Sequence, residues 1–163
     1  MKINKNIAIV AGGCFWGVEY YFQRMPGVIS TEVGYIGGHK DNPTYQEVCS
    51  HSTGHLEALK VEFDPAQTDY QSVLKLFFEI HDSTQANGQG PDIGPQYLSA
   101  IFYIDDEQKQ QAEAVIDLLK QKGIEPVTQL IPASTFWPAE DYHQQYYEKQ
   151  GKVPYCHSRR KIF

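Results

Sequence analysis

Hydrophobic and polar positions repeat along this chain with two periods. Ile7-Ala8-Ile9-Val10 is a short apolar run, the pattern of a buried strand. Val18, Tyr21, Phe22 and Met25 recur at helical spacing, and Pro26-Gly27 stops them, which predicts a helix over 18–25. Val28 to Tyr35 reads as a second strand. Ile36 to Gly54 is polar and rich in turn formers, and Thr44-Tyr45-Gln46-Glu47 within it has the form of a capping box, predicting a brief helix over 45–49. From His55 to Asp64 the alternation is clean. Glu57, Leu59, Val61 and Phe63 share one face of a strand, and Leu56, Ala58, Lys60 and Glu62 share the other.

A second capping-box pattern, Thr68-Asp69-Tyr70-Gln71, opens a helix to about His81 with the stripe Tyr70, Val73, Leu74, Phe77 and Phe78. A second polar loop runs over 82–96. Tyr97 to Ile104 is a largely apolar strand, expected to be central. Asp105 caps a helix over 106–122 that Gly123 ends. Residues 124–131 suit a short edge strand interrupted by Pro126. Pro138 suits the first turn of a last helix over 139–150. Residues 151–163 form a coil tail with Cys156 and the basic run Arg159-Arg160-Lys161. The order strand, helix, strand, strand, helix, strand is the split βαβ plan of a two-layer ferredoxin-like α/β (α+β) sandwich, followed by extra helices. With no linker or repeat, residues 1–163 read as one domain, and 151–163 as its mobile tail.

Composition narrows the function. The 163 residues are 41% hydrophobic and 21% charged, ordinary for a globular domain. A net charge of −6 supplies no basic field for nucleic acid, and no apolar run reaches membrane-spanning length. The chain carries three cysteines, too few for a disulfide-stapled secreted domain. Lys2 and Lys5 before the apolar run faintly imitate an export signal, but the run is too short, so the protein is expected to be cytoplasmic.

Among those cysteines, Cys14 is placed for chemistry. It lies on the glycine turn Gly12-Gly13 between the first strand and the first helix. There, unpaired backbone N–H groups and the helix dipole favour an anion, so a thiol of ordinary pKa about 8.5 ionises more readily. The alternative is a small buried cysteine with no role. Phe15 and Trp16 beside it offer an apolar wall. Glu57 ends an apolar face, where desolvation favours the neutral acid. Tyr45 and Tyr97 are further donors, and Asp92 lies in the second polar loop. A thiolate, hydrogen-bond donors and a second cysteine able to attack an oxidised first one suit reduction of a polarised S–O bond better than amide hydrolysis. Neither a Cys-His-Asn arrangement nor a C-x-x-C motif suggests itself. Cys49, His51 and His55 are too loosely spaced to argue a metal site. Glu140 and His143 read as ordinary residues near a helix start, and Tyr142, Tyr146 and Tyr147 as packing residues.

Several segments together carry a family resemblance: Gly13-Cys14-Phe15-Trp16-Gly17, Asn42-Pro43-Thr44-Tyr45, Thr53-Gly54-His55-Leu56-Glu57, Gln89-Gly90-Pro91-Asp92-Ile93-Gly94, Gln96-Tyr97, and Pro138-Ala139-Glu140-Asp141-Tyr142-His143-Gln144. In this order they resemble the peptide methionine sulfoxide reductase A family over most of 7–147. The resemblance implies that Cys14 attacks the sulfur of a methionine S-sulfoxide and that Glu57 supplies the proton to the oxygen. It implies that Tyr45 and Tyr97 hydrogen-bond that oxygen, that Asp92 supports the polar side, and that Gly13, Phe15 and Trp16 bind the substrate and its methyl group. It further implies a sulfenic acid on Cys14, resolved by Cys156 as a disulfide, and thioredoxin (or dithiothreitol in vitro) as reductant with no bound cofactor. Oxidised proteins or peptides are the implied substrates. Many members carry two recycling cysteines in a glycine-rich tail, whereas this tail has one, and Cys49 is the rival resolver.

Overall fold

The computed structural model describes residues 6–154 and 157–163. Its elements are β1 (Ile7–Gly12), α1 (Phe15–Gln23), β2 (Val28–Ile36), α2 (Tyr45–Cys49), β3 (Leu56–Phe63), α3 (Tyr70–Ile80), β4 (Gly88–Gln89), β5 (Asp92–Ile93), β6 (Ser99–Tyr103), α4 (Asp106–Gln121), β7 (Gln129–Pro132), β8 (Trp137–Pro138) and α5 (Tyr146–Gln150).

The main sheet has the order β7-β6-β1-β3-β2-β8. β1 pairs antiparallel with β3, Val10 opposite Leu59, and with β6, Gly12 opposite Ser99. β2 pairs antiparallel with β3, which sets Tyr35 opposite Glu57. With α1 joining β1 to β2 and α3 joining β3 to β6, the inner order β6-β1-β3-β2 is the split βαβ sandwich expected. β7 adds in parallel to β6, and β6 is therefore interior while β1 and β3 take the two middle places.

The alternation of β3 decides what lies on each side. Leu59, Val61 and Phe63 join Val10, Phe15, Phe22, Leu74, Phe77 and Leu119 in the core beneath the helices. Ala58 and Leu56 face a smaller cluster with Ile9, Ile36 and Phe102, covered by Leu98, Ile131 and Phe136. Burying one such Leu or Phe contributes about 1.5–3 kcal/mol.

Local chemistry moves some boundaries. The Thr44 capping box forms as expected. At α3 the cap is Asp69 and not Thr68: Asp69 accepts from the Ser72 N–H. α1 begins three residues earlier than the apolar spacing predicts, because Phe15 is itself core. Tyr97 lies in a 3₁₀ turn, Pro95–Tyr97, ahead of β6. The single helix expected over 139–150 is instead a 3₁₀ turn, Asp141–His143, and the short α5. Between them Gln145 is left-handed at φ 56°. The break is held in place: the Gln145 N–H donates to Glu19 at 2.6 Å, and the Gln144 amide bonds Val33 and Ala139. Pro138 sits in β8 against Gly34.

Candidate active site

β1 delivers the chain to Gly12, Gly13 turns it at φ 95°, and Cys14 is the N-cap of α1. The Cys14 carbonyl accepts from the N–H groups of Gly17 and Val18, at 3.2 and 3.4 Å. Its residue is 9% exposed, at the margin between core and surface. A side chain on Gly13 would collide with Gln89, which explains the glycine besides its positive φ.

Glu57 lies under this turn. Its Oε1 accepts the Phe15 N–H at 3.2 Å, so β3 and the α1 start are tied through the carboxyl. Only 1% of the residue is exposed. Burial pushes its pKa well above the ordinary value, the Cys14 charge pushes the same way, and the Phe15 N–H only partly opposes them. Oε2 has no hydrogen-bond partner among the described residues.

The other sequence candidates converge on the same place. Burial raises the pKa of the Tyr45 hydroxyl, as do the charge of Glu57 and the nearby Cys49 thiol, one helical turn along α2. Tyr97 is raised for the same leading reason, and feels Glu57, Cys49, Asp92 and Cys14 in turn. The hairpin of β4 and β5 carries Asp92, whose Oδ2 is buried without a partner among the described residues. Both tyrosines thus stay protonated donors, and Cys49 is a member of the site that the alternation along the chain did not place.

The aromatic side is built from residues that look like plain packing in the sequence. Phe15 is buried against the rings of Tyr35, Tyr45 and His143 at 5.7, 6.5 and 5.3 Å between centroids. Trp16 stacks on Tyr146 at 3.8 Å and 7° between planes, and its indole N–H donates to Nδ1 of His143 at 2.9 Å. His143 is therefore the tautomer with its proton on Nε2, an atom buried without a partner among the described residues. Glu140 accepts from the Tyr35 hydroxyl at 2.9 Å and from the Tyr45 N–H at 3.0 Å. These contacts, more than an incipient helix, account for Glu140 and His143. Their signal in the sequence is only the segment Ala139 to Gln144, since their partners are about a hundred residues away.

Buried polar groups are nearly always paired, so clustered exceptions ask for a ligand. Glu57, Asp92 and His143 each leave one such atom. The cleft of about 370 Å³ lined in part by Met25, Leu76, Arg159 and Phe163 contains none of these groups. His55 is committed to structure: Nδ1 accepts from the Gly38 N–H at 3.0 Å and Nε2 donates to the Lys40 carbonyl at 2.6 Å.

Cys156, the expected resolving residue, lies outside the described residues. The chain that follows it has no regular secondary structure but is anchored. His157 is buried, donates from Nε2 to the Gly12 carbonyl at 2.7 Å, and lies where a Cβ on Gly17 would collide with its ring. Burial lowers its pKa from the ordinary value. No helix among the described residues is long and apolar enough to cross a membrane, and no three-ligand His/Cys/Asp/Glu group among them is arranged for a metal ion.

Comparison with known proteins shows the family and the fold. Residues 6–163 match the family described as peptide methionine sulfoxide reductase. A Geobacter sulfurreducens protein named peptide methionine sulfoxide reductase MsrA is 50% identical over 147 residues, 88% of this chain and 91% of that one. The crystal structure of reduced Saccharomyces cerevisiae Mxr1 superposes with a TM-score of 0.89 at 32% identity, covering 95% of this chain and 92% of Mxr1. Mxr1 in complex with Trx2 shares the fold at a TM-score of 0.66 and 20% identity, covering 99% of this chain and 96% of that one.

Proposed function

This chain belongs to the peptide methionine sulfoxide reductase family, and from that premise we propose that it reduces methionine S-sulfoxide in oxidised proteins or peptides through Cys14. The thiolate attacks the sulfoxide sulfur. Glu57, kept neutral by burial, gives its proton to the oxygen, and Tyr45 and Tyr97 hydrogen-bond that oxygen as charge builds on it. Attack forms a bond between the Cys14 sulfur and the substrate sulfur. The protonated oxygen then passes to the Cys14 sulfur as its bond to the substrate sulfur and the S–S bond break. The methionine sulfur keeps the S–S electron pair, and Cys14 is left as a sulfenic acid. Phe15 and Trp16 receive the methyl group, with Gly13 allowing the close approach and Asp92 lining the polar side. Cys156 then displaces water from the sulfenic acid to form a disulfide. A thioredoxin dithiol reduces that bond by exchange, so no bound cofactor is required. The Mxr1–Trx2 complex of a relative supports that partner, and a thiol cycle of this kind suits the reducing cytoplasm.

The observation that carries this reading is the Glu57 carboxyl. It is a buried acid beside Cys14, with one oxygen held by the Phe15 N–H and the other left for an incoming group. The test is turnover of peptides bearing each sulfoxide epimer, with dithiothreitol or thioredoxin as reductant. The S epimer is converted to methionine and the R epimer is not. Binding of the peptide without conversion removes the enzyme reading.

A further inference from the structure

One buried acid outside the site has no part in the chemistry above. Glu79, near the end of α3, is 5% exposed and collects the last residues of the tail around its carboxylate. Oε1 accepts from Arg159 Nε at 3.2 Å and from its second guanidinium nitrogen at 3.0 Å. Oε2 accepts the backbone N–H groups of Ile162 and Phe163, at 2.9 and 3.2 Å. The Glu79 backbone carbonyl takes the Arg160 N–H at 2.8 Å. Burial alone would favour the neutral acid, but the two N–H groups and Arg159 overcome it and keep Glu79 ionised. Ile162 and Phe163 also pack against the main core. A tail that merely trailed in solvent would not gather four donors on one carboxylate.

The same segment is pinned a second time at its other end. His157 donates to the Gly12 carbonyl, its own carbonyl accepts from the Tyr21 hydroxyl at 3.3 Å, and its ring fills the space left by the glycine at 17. Gly12 and Gly17 bracket Cys14 in sequence, so His157 rests on the turn and first helical residues that present the nucleophile. His157 directly follows Cys156. Residues 157–163 are thus held at two points, one on α3 and one on the Cys14 turn.

We propose that Glu79, through the clamp on Arg159 and residues 160–163, is a positioning residue for the resolving step. It keeps His157, the next residue after the resolving cysteine in the sequence, seated on the Cys14 turn, and so speeds the disulfide step. This inference rests on Cys156 being the resolving cysteine. In the step it serves, the Cys156 sulfur attacks the Cys14 sulfenic acid, the S–S bond forms, the S–O bond breaks, and the hydroxide leaves as water with the thiol proton. The clamp touches no reacting atom. It acts on the search that brings two groups of one chain together, a cost that pre-organisation removes.

The experiment separates the two chemical steps in Glu79→Gln and in Arg159→Ala, the latter because Arg159 is 60% exposed and its loss leaves the core intact. Each variant is mixed with an excess of a Met S-sulfoxide peptide without reductant. Methionine release is followed alongside disappearance of the Cys156 thiol by alkylation and mass spectrometry. The expected result is an unchanged rate for the first methionine, with disulfide formation slowed at least roughly tenfold, as lost effective concentration requires. Near-UV circular dichroism like that of the unsubstituted protein confirms that the variants are folded. Disulfide formation at the unsubstituted rate in folded variants overturns the clamp while leaving Cys156 as resolver. Equal slowing of both steps overturns it too, because a general disturbance of the Cys14 turn would do that. Normal thioredoxin-driven turnover in Cys156→Ser removes the resolver assignment itself, and the inference with it.

Discussion

Glu57 is a carboxyl group in a place where a carboxylate is penalised, and its protonation links activity and stability. Folding raises its pKa from 4.5, by burial first and by the Cys14 charge second. The folded state therefore holds this proton at pH values where the unfolded chain has released it. The stability that goes with the bound proton is complete below about 4.5 and is lost as pH rises through the folded value. Glu57→Gln removes that loss, so its melting temperature exceeds the unsubstituted protein's at pH 8 and approaches it at pH 4, as thermal melts at both values will show. The amide also still donates a hydrogen bond to the oxygen. Glu57→Gln retains much of the activity, whereas Glu57→Ala loses roughly 100-fold or more, the scale of a positioned general acid. Equal kcat/KM in all three proteins takes Glu57 out of the mechanism.

At the scale of elements, the parts legible in the sequence are those whose causes are local. The strand period of β3 placed Glu57 inward with Leu59, Val61 and Phe63, and the structure agrees. The Thr44 capping box formed because both of its halves lie within four residues. The same motif misled at α3, where two potential caps are adjacent and Asp69 wins. Asp69→Ala is expected to cost about 1 kcal/mol in denaturant melts, typical of a lost N-cap, while Thr68→Ala costs clearly less. Equal costs would return the cap to Thr68. The helix expected over 139–150 failed for a distant reason: Glu19 of α1 and Val33 of β2 hold the chain open at Gln144 and Gln145. In the sequence His143 and Glu140 read as ordinary residues near a helix start for that reason also, because their contacts depend on Trp16, Tyr35 and Tyr45 meeting them in space.

For the molecule as a whole, three histidines buried in the neutral form oppose folding in acid, against the contribution of Glu57. His81 donates from Nδ1 to the Phe77 carbonyl at 2.6 Å and accepts from the Ser99 hydroxyl at 2.8 Å, beneath the β1–β6 layer. Its pKa is lowered from 6.5 to about 4, chiefly by burial, with the bond to the Phe77 carbonyl only partly opposing it and His157 adding to the fall. Burial lowers His143 and His157 from 6.5 in the same direction. Between about 6.5 and 4 the unfolded chain binds protons that His81 in the fold refuses, so stability falls as pH falls across that window. Glu57 acts in the opposite direction over the same window, so the check is a comparison of proteins: on going from pH 7 to pH 5, thermal melts show a change in melting temperature that is less unfavourable in His81→Gln than in the unsubstituted protein. A slope unchanged in that variant would assign the effect to other groups.

The central claim is that Cys14 takes the sulfoxide oxygen, and a single turnover tests it most directly. Cys156→Ser protein, given a Met S-sulfoxide peptide without reductant and then a sulfenic-acid trapping reagent, is digested and read by mass spectrometry. One methionine per chain with the trapped oxygen-bearing sulfur at Cys14 is the predicted result; no methionine, or a label confined to Cys49, contradicts it.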